Sequence, residues 1–344
     1  MTSVPLSARV AAPSTVELPA SVAGVTWRAA TVADAPAIHA CERAIGDVDH
    51  PRYTTPLEEI EEDFAHSYMD ASTDSLLALG ADGDVLAWGM VVLLPGQDTL
   101  VRSVLYGGVR PDQRGRGLGR ALLEWQRGRG LQQLASSEKT LPGWLVLSTD
   151  DSTEANKKLY TRFGFSPARY FLELRRDLSS PVQPVPLAEG LKIEPFTAER
   201  SEHTRLARND AFRDHWGSQP STDEQWKSLV ESSIFSPQLS HVAIDTTVEG
   251  GAVAGFVLST VNKEDWPGQG FSSAYIELVG VARGWRGRGI APALLAHALA
   301  AIAAEGLDAA VLDVDSDSPT GALGLYERQG FVQSHRTVNY TSVH

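Results

Sequence analysis

The chain has 344 residues, of which 42% are hydrophobic and 21% are charged, and its formal net charge at pH 7 is −13. This length is sufficient for two domains with their own cores, and the composition is that of a globular protein. The negative charge excludes a general nucleic-acid binder, which would need Lys and Arg to neutralise phosphates. Cys41 is the only cysteine, so no intramolecular disulfide or cysteine-based metal site can form. We expect a cytoplasmic protein without a bound metal.

The first residues, "MTSVPLSARVAAPSTVELPA", predict a flexible leader over 1–20. They lack the apolar core of roughly 7–15 residues that a signal peptide contains. No segment approaches the ~20 apolar residues of a membrane span, so no membrane partner is expected. The longest apolar run, 290–304, contains Pro292 and His297 and is rich in alanine. It predicts a packed core helix.

The first half of the chain shows an order of predicted elements that the second half repeats. A short strand is followed by polar helical sequence, a hairpin, a strand, a glycine-rich loop, a helix, a buried strand and a short helix ending in Gly-Phe. In the first half the short strand is 25–30 and the hairpin is 75–94. The loop is 109–119, the buried strand is 144–149 and the last helix is 158–165.

The second half repeats this order at 191–196, 241–261, 281–291, 309–314 and 324–331, and the two loops lie 172 positions apart. Between the halves, "SSPVQPVPLAEG" contains three prolines and little hydrophobic periodicity, which is typical of a semi-extended linker. We therefore predict an α+β protein with two tandem domains, 21–178 and 191–344, joined by the linker 179–190.

The repeated loops are "VRPDQRGRGLGRALL" from position 109 and "VARGWRGRGIAPALL" from position 281. A helix N-terminus has unpaired N–H groups and a partial positive charge, so it favours an anion. Glycines let a ligand approach the backbone, and arginines add donors for phosphate oxygens. A single loop of this kind would favour a structural turn. Arg-Gly segments that bind nucleic acid are disordered and lack the apolar periodicity that flanks these loops. A nucleotide P-loop would need Gly-Lys-Ser/Thr, which neither loop contains. Two copies in matching contexts favour phosphate binding.

The pattern Arg-x-x-Gly-x-Gly/Ala after a strand, followed by Leu-Tyr-x-x-x-Gly-Phe, resembles the GNAT superfamily of acetyl-coenzyme A-dependent N-acetyltransferases. Both halves contain both motifs. The resemblance implies, in each half, a mixed and mostly antiparallel sheet flanked by helices, which splays apart where coenzyme A enters. It also implies that loop amides bind the diphosphate and that the preceding strand pairs with the pantetheine arm. The implied cofactor-binding residues are Val279, Gly280, Val281, Arg286, Gly287, Arg288, Gly289, Ile290, Ala291 and Ser318, with Val109, Arg114, Gly115, Arg116, Gly117, Leu118 and Gly119 in the first half.

Acetyl transfer to an amine requires that the amine lose a proton, and the departing thiolate benefits from a donated one. Glu277 in the apolar strand "YIELVGV" is the predicted base, because a carboxylate is costly there without a partner or a task. An outward-facing residue on a half-exposed strand is the alternative. Leu105 takes the matching position in the first half. The resemblance implies that Tyr326 donates the proton, although Tyr326 and its counterpart Tyr160 also suit a core aromatic position. We predict catalysis in the second half and cofactor binding or scaffolding in the first.

The acceptor is the least determined part of the site. Segment 209–226 predicts a helical substrate wall, in which His215 and Trp216 either contact a polar substrate or cap and pack. Carboxylates at 313, 315 and 317 would attract a cationic amine. The alternative is that they are turn and capping residues. The layout also resembles tandem enzymes of the mycothiol synthase type, but Asp313 stands where a substrate-contacting tyrosine is expected and Ser318 where asparagine is usual.

The resemblance therefore implies a small-molecule amine as partner: an amino sugar, an aminoglycoside-like molecule or a cysteinyl amine. A monomer or homodimer without nucleic acid is expected. Two alternatives stay open, an acetyl-coenzyme A sensor or scaffold and a protein-lysine acetyltransferase.

Overall fold

The computed structural model describes residues 4–20, 24–318 and 320–344. The chain forms two compact units. Unit 1 lies within Met1–Arg169 and Thr337–His344, and unit 2 lies within Tyr170–Arg336. Each unit contains residues from both halves of the sequence. The predicted domain boundaries, 21–178 and 191–344, therefore stay a prediction. None of the described helices has the length and apolar character needed to cross a membrane.

Unit 1 contains a mixed sheet in the strand order β1-β2-β3-β4-β5-β12, in which β4 and β5 are parallel and the other neighbours antiparallel. The strands are β1 (Thr26–Arg28), β2 (Ser75–Leu79), β3 (Val85–Leu93), β4 (Val101–Val109) and β5 (Gly143–Asp150), with β12 (Val332–Val343) from the end of the chain. The helices are α1 (Leu6–Arg9), α2 (Ala35–Asp49), α3 (Leu57–Asp63), α4 (Ala71–Asp74), α5 (Leu118–Ala135) and α6 (Glu154–Arg162).

The sheet of unit 1 lies between α2 and α5. On one face, Ile38 and Ile45 of α2 pack in a core with Trp88 of β3. On the other face, Gly89 lets α5 approach closely, because a Cβ at Gly89 would lie 2.8 Å from a methyl carbon of Leu122. The alternation of strand residues therefore places two different helices on the two faces.

The expected flexible leader is ordered in part. Leu6 in α1 is fully buried, and its N–H donates a hydrogen bond of 2.9 Å to the carbonyl of Lys139. Val10 is 8% exposed. A single turn of helix with few apolar positions has no periodicity that sequence analysis could detect. Residues 1–3 of the expected leader lie outside the described ranges.

Unit 2 contains a mixed sheet in the strand order β6-β11-β10-β9-β8-β7, in which β10 and β11 are parallel and the other neighbours antiparallel. The strands are β6 (Ser166–Asp177), β7 (Leu191–Pro195), β8 (His241–Asp245), β9 (Ala252–Thr260), β10 (Ser273–Val281) and β11 (Ala309–Asp315). The helices are α7 (Ser201–Ala211), α8 (Asp223–Val230), α9 (Trp266–Gln269), α10 (Ile290–Ala304) and α11 (Ala322–Arg328).

Two cores cover the two faces of this sheet. On one face lies α10, with Leu294 and Leu299 fully buried, so the core helix predicted over 290–304 is confirmed. On the other face, Ala211 of α7 and Trp226 of α8 pack against Phe256 of β9. Side chains of β10 that point away from α10, such as Leu278, therefore lie on the face that α7 covers.

One strand of each sheet comes from the other half of the sequence. In unit 1, residues 337–343 pair antiparallel with β5, from Thr337 opposite Asp150 to Val343 opposite Trp144. In unit 2, residues 171–177 pair antiparallel with β11. Each sheet is thus completed by the segment that follows the Gly-Phe pair of the opposite half.

Candidate active site

Strands β10 and β11 pair only over their first residues. Ser273–Tyr275 lie beside Ala309–Val311 in parallel register, and no further pair of these strands occurs among the described residues. On its other side β10 pairs with β9 as far as Val281. The backbone edge of β10 that faces β11 is therefore open beyond Tyr275, where an extended ligand can bind. In unit 1, β4 and β5 part in the same way after Val104.

Glu277 lies in a β-bulge of β10. Ile276 is opposite Ser259 of β9 and Leu278 is opposite Leu258, so the register steps over Glu277. A bulge bends the strand and re-aims a side chain. Ile276 is buried against α10 and Leu278 packs in the core on the opposite face, whereas Glu277 between them is exposed. The bulge therefore leaves an exposed carboxylate in the part of β10 that does not pair with β11.

The matching strand of unit 1 has no such bulge. Leu105 pairs with Val91 in an unbroken register along β3 and β4, and it is 6% exposed. The two strands differ at this position in backbone as well as in side chain.

The glycine-rich loop of unit 2 ends at the first turn of α10. Gly287 and Gly289 have φ angles of +77° and +72°, and Gly289 is the N-cap of α10. A Cβ at either glycine would meet nothing within 4 Å, so glycine is required here by backbone conformation and the loop is open to solvent. Gly115 and Gly117 repeat this geometry in unit 1, with φ angles of +80° and +88°. Each loop is suited to an anion.

The first arginine of each loop already has an acidic partner. Arg286 donates to Asp214 at 3.1 Å and to the carbonyl of Ala211 at 2.7 Å. Arg114 donates two hydrogen bonds to Asp49, at 2.9 and 2.8 Å. The guanidinium groups expected to bind phosphate are thus occupied by the protein itself.

The second arginine differs between the two loops. Arg288 is exposed, and no hydrogen bond or ion pair joins its guanidinium to another of the described residues. Arg116 donates to Gln113. Arg288 is therefore the loop cation of unit 2 that is available to a phosphate.

Tyr326 of α11 is 7% exposed, and its ring lies edge-on to Phe331 with centroids 5.8 Å apart. Burial raises the pKa of its phenol to about 12, so the hydroxyl stays protonated near neutral pH. Within the described ranges no residue hydrogen-bonds to this hydroxyl. In unit 1 the hydroxyl of Tyr160 donates to the carbonyl of Ser148 at 3.5 Å. Tyr326 is a hydrogen-bond donor without a protein acceptor among the described residues, and Tyr160 is not.

His215 and Trp216 lie in the turn between α7 and α8, which belongs to the expected substrate wall. The imidazole of His215 lies 4.5 Å from the ring centroid of Phe212. Burial lowers the pKa of His215, although the charge of Asp315 opposes this. A mostly neutral imidazole can accept a hydrogen bond from a polar substrate. Trp216 is half-buried.

Asp313 is exposed on the face of β11 that points away from α10, since its neighbours Leu312 and Val314 pack against α10. It accepts a hydrogen bond of 2.9 Å from the hydroxyl of Tyr275. Glu173 of β6 is directly opposite Asp313. We define the acceptor face as four carboxylates of unit 2: Glu173, Asp313 and Asp315 on this side of the sheet, and Glu277 at the bulge of β10. Their charges attract a cation.

Comparison with known proteins agrees with this geometry. Residues 203–331 match the model of the acetyltransferase (GNAT) family, and residues 73–167 match an acetyltransferase (GNAT) domain. Mycothiol acetyltransferase from Kocuria rhizophila is 30% identical over 268 residues, which cover 76% of this chain and 82% of that protein. Mycothiol acetyltransferase from Thermobispora bispora is 32% identical over 257 residues, covering 73% and 78%. The chain belongs to the GNAT acetyltransferase family.

A solved structure supports the same fold over nearly the whole chain. A GCN5-related N-acetyltransferase from Sphaerobacter thermophilus has a TM-score of 0.69 and 27% sequence identity, and the alignment covers 95% of this chain and 97% of that one. The predicted α+β fold with two tandem GNAT domains is confirmed, and so is the prediction of an acyltransferase. GNAT acetyltransferases use acetyl-coenzyme A as co-substrate.

The GNAT domain of unit 2 has residues that fit this co-substrate. The open edge of β10 suits an extended arm, and the positive-φ glycines at the start of α10 leave the loop amides accessible. Ser318 follows β11 in a turn, where its hydroxyl lies 2.9 Å from that of Thr320; its role with the cofactor stays a prediction. No three His, Cys, Asp or Glu side chains group as metal ligands in the described part of the chain.

Three residues of the GNAT domain in unit 2 escaped the sequence analysis. Tyr275 could have been found, because it precedes Glu277 by two residues in the same strand. Asp214 could also have been found, because an Asp-His pair occurs in both halves of the sequence, at 49–50 and at 214–215. Glu173 could not have been found, because it lies in the sequence of the first half and reaches unit 2 only through strand β6.

Proposed function

We propose that unit 2 transfers the acetyl group of acetyl-coenzyme A to a primary amine of a small cationic molecule, by direct attack of the amine on the thioester. The observation that carries the proposal is the position of Glu277. It is an exposed carboxylate in a bulge beside the open edge of β10. An accessible carboxylate next to the place for a thioester is suited to general base catalysis.

In this proposal Glu277 accepts a proton from the ammonium group of the acceptor, directly or through a water molecule. The nitrogen then attacks the thioester carbonyl, and a C–N bond forms as the C–S bond breaks. The nitrogen loses its second proton, the thiolate takes one proton, and one proton is released overall. Backbone N–H groups of β10 beyond the bulge act as donors to the carbonyl oxygen as its negative charge develops.

Tyr326 acts on the departing sulfur. Its pKa of about 12 lies well above the ~8.5 of an ordinary thiol, so complete proton transfer from phenol to thiolate is unfavourable. The hydroxyl therefore donates a hydrogen bond that stabilises the developing thiolate. The buried ring fixes the position of the hydroxyl before the reaction begins.

The acceptor face favours a molecule with more than one positive charge. One amine reacts beside Glu277, while a second cationic group binds at Asp313. Glu173, opposite Asp313 on the neighbouring strand, adds negative charge there, although one of its oxygens already contacts Ser334 at 2.6 Å and His335 at 3.1 Å. His215 and Trp216 supply hydrogen bonding and an apolar surface for the rest of the molecule. Amino sugars, aminoglycoside-like molecules and cysteinyl amines with a further cationic group belong to this class.

For unit 1 we propose binding of the coenzyme without turnover. Its loop glycines repeat the positive φ angles of unit 2, which keeps the amides available. Leu105, the counterpart of Glu277 in the sequence, is buried, so it supplies no base at the open edge of β4.

Thiol release from acetyl-coenzyme A tests the proposal. Putrescine and 4-amino-1-butanol form a matched pair, because both have a primary amine on a four-carbon chain and differ in the second charge. We expect thiol release with both and a higher kcat/KM for putrescine. Binding of acetyl-coenzyme A without thiol release for putrescine, aminoglycosides or amino sugars would favour a sensor or scaffold. Labelled acetyl groups appearing on a protein instead would favour a protein-lysine acetyltransferase.

A further inference from the structure

The C-terminal end of α7 is bonded to the segment that begins the glycine-rich loop of unit 2. The backbone N–H of Arg283 donates to Asp210 at 2.7 Å, and its guanidinium donates to Asp214. Arg286 donates to the other oxygen of Asp214 and to the carbonyl of Ala211. Asp214 therefore holds two arginines that lie three positions apart at the start of the loop.

Unit 1 has a corresponding contact that involves one arginine, because Pro111 takes the position of Arg283. Asp49, at the end of α2, accepts two hydrogen bonds from Arg114, the first arginine of that loop. In each unit the aspartate directly precedes a histidine, His50 or His215. The chain thus contains the same aspartate–arginine contact twice.

A carboxylate beside an anion-binding loop has an electrostatic cost. Asp214 repels a diphosphate and occupies a guanidinium that could otherwise bind one. Its side chain is 42% exposed, so solvent reduces both effects without abolishing them. The same carboxylate orders the start of the loop and keeps the end of α7 in place, and His215 is the next residue along the chain.

We propose that Asp214 is a positioning residue that acts through Arg283 and Arg286. It holds the loop amides of 287–290 in their anion-binding arrangement and, through the turn that begins at Asp214, fixes His215 against Phe212. One side chain thereby sets the geometry of both the coenzyme loop and the acceptor side. The consequence for turnover depends on the function proposed above, whereas the consequence for loop order and coenzyme binding does not.

A simpler possibility is that Asp214 only neutralises Arg286. The two possibilities predict opposite changes in coenzyme affinity when Asp214 is replaced by Asn. In the simpler case Asp214→Asn releases a guanidinium to the phosphates and removes a nearby negative charge, so the coenzyme binds more tightly. If Asp214 positions the loop, Asp214→Asn loosens the amides that bind the diphosphate, and the coenzyme binds more weakly.

Hydrogen exchange of the full chain without ligand tests the ordering directly. In Asp214→Asn we expect the hydrogen-bonded amides that flank the loop, those of Trp285, Arg286 and Ala293, to exchange about 3- to 10-fold faster, because two charge-assisted hydrogen bonds are weakened. The amide of His215, which donates to the carbonyl of Phe212, should exchange faster as well. Asp214→Glu should restore most of the protection. Asp49→Asn is the matched control and should change exchange at the loop of unit 1 only. Unchanged exchange at Trp285, Arg286 and Ala293 in Asp214→Asn would overturn the proposal.

Calorimetry with coenzyme A then shows whether Asp214→Asn weakens or strengthens coenzyme binding. In a background of Gly117→Asp, which disables the loop of unit 1, Asp214→Asn should weaken coenzyme A binding by about 3- to 10-fold. Combining it with Arg286→Gln should add little, because both changes disrupt one contact. Binding that becomes tighter in Asp214→Asn would overturn the proposal.

Kinetics with an acceptor separate positioning from a loss of folding. Asp214→Asn should raise the KM for the acceptor as well as for acetyl-coenzyme A, with recovery in Asp214→Glu at unchanged thermal stability. If the wild type acetylates no amine, the proposed function fails, while exchange and calorimetry still decide the role of Asp214.

Discussion

The hydroxyl of Tyr275 donates a hydrogen bond of 2.9 Å to Asp313 and so joins β10 to β11 beside the point where their backbone pairing ends. Tyr275 itself is the last residue of β10 in register with β11, opposite Val311. The side-chain bond therefore orients the Asp313 carboxylate before any acceptor binds. Such preorganisation lowers the entropic cost of recognition.

Asp313→Asn removes a charge from the acceptor face and keeps the hydrogen bond to Tyr275 possible. We expect the KM for putrescine to rise about tenfold and the KM for 4-amino-1-butanol to change less than about twofold, because only putrescine has a second cation. Asp317→Asn is a control in the turn after β11. Equal effects on both acceptors would show that Asp313 does not recognise charge.

Glu277→Gln keeps the shape of the side chain but cannot accept a proton at neutral pH. We expect kcat/KM to fall at pH 7 by about 10²–10³-fold and to recover partly as pH approaches the pKa of the acceptor amine, where free amine forms without a base. Affinity for the coenzyme should stay near that of the wild type. Glu305→Gln, on the exposed end of α10, serves as control. Parallel pH profiles of the Glu277→Gln variant and the wild type would contradict a role as base.

Tyr326→Phe removes a hydroxyl and retains the packing of the ring against Phe331. We expect kcat to fall by about 10²-fold with little change in acceptor KM, since the lost hydrogen bond forms only as the thiolate departs. Tyr160→Phe should leave turnover unchanged. If the two variants behave in the opposite way, unit 1 contains the catalytic site.

Gly289→Asp places a side chain at a φ of +72° and a negative charge at the start of α10. Both effects disfavour the diphosphate, so calorimetry should show loss of one coenzyme A site and turnover should fall with it. Gly117→Asp, the matched change in unit 1, should remove the other site and reduce turnover far less. Two intact sites in Gly289→Asp would contradict the assignment of the loop.

The free energy of unfolding should depend on pH through partly buried histidines of unit 2. Burial lowers the pKa of His241 and of His215, so the folded state binds fewer protons than the unfolded state below the unfolded pKa of about 6.5. The stabilisation is present above that pH and is lost as pH falls through the folded-state pKa. Between pH 7 and pH 5 the histidine contribution should lower the free energy of urea unfolding, against an opposite contribution from Glu42 and Asp63, whose pKa burial raises to about 7. His241→Gln should flatten this dependence and the exposed His203→Gln should not. An equal slope in both variants would exclude His241 as its source.

Several features of the fold could be predicted because each leaves a local pattern. Apolar alternation around a turn of Asp and Gly predicted the hairpin of β2 and β3. The glycine-rich loop before Leu118 predicted the start of α5. The apolar run over 290–304 gave α10 with both of its ends. Each of these patterns is set by residues a few positions apart, which sequence periodicity can detect.

Other features depend on register or on residues far apart in the chain. The bulge at Glu277 arises from how β10 pairs with β9, and no residue of "YIELVGV" marks it. The contact between Arg286 and Asp214 joins positions 72 apart, and no local pattern in the sequence marks it. Glu173 reaches the acceptor face only after the strands of the two sequence halves are exchanged.

The exchange of strands has a consequence for the order of synthesis. Strand β5 is made early, but residues 337–343, which pair with it, are translated after the whole of unit 2. Unit 1 therefore emerges from the ribosome with the backbone of β5 unpaired on that side, and open strands of this kind are prone to wrong association. Unit 2 has no such delay, because residues 171–177 precede β11 in the chain. A stop codon just after Phe331 would leave the sequence of the first half intact and still deprive its sheet of a strand.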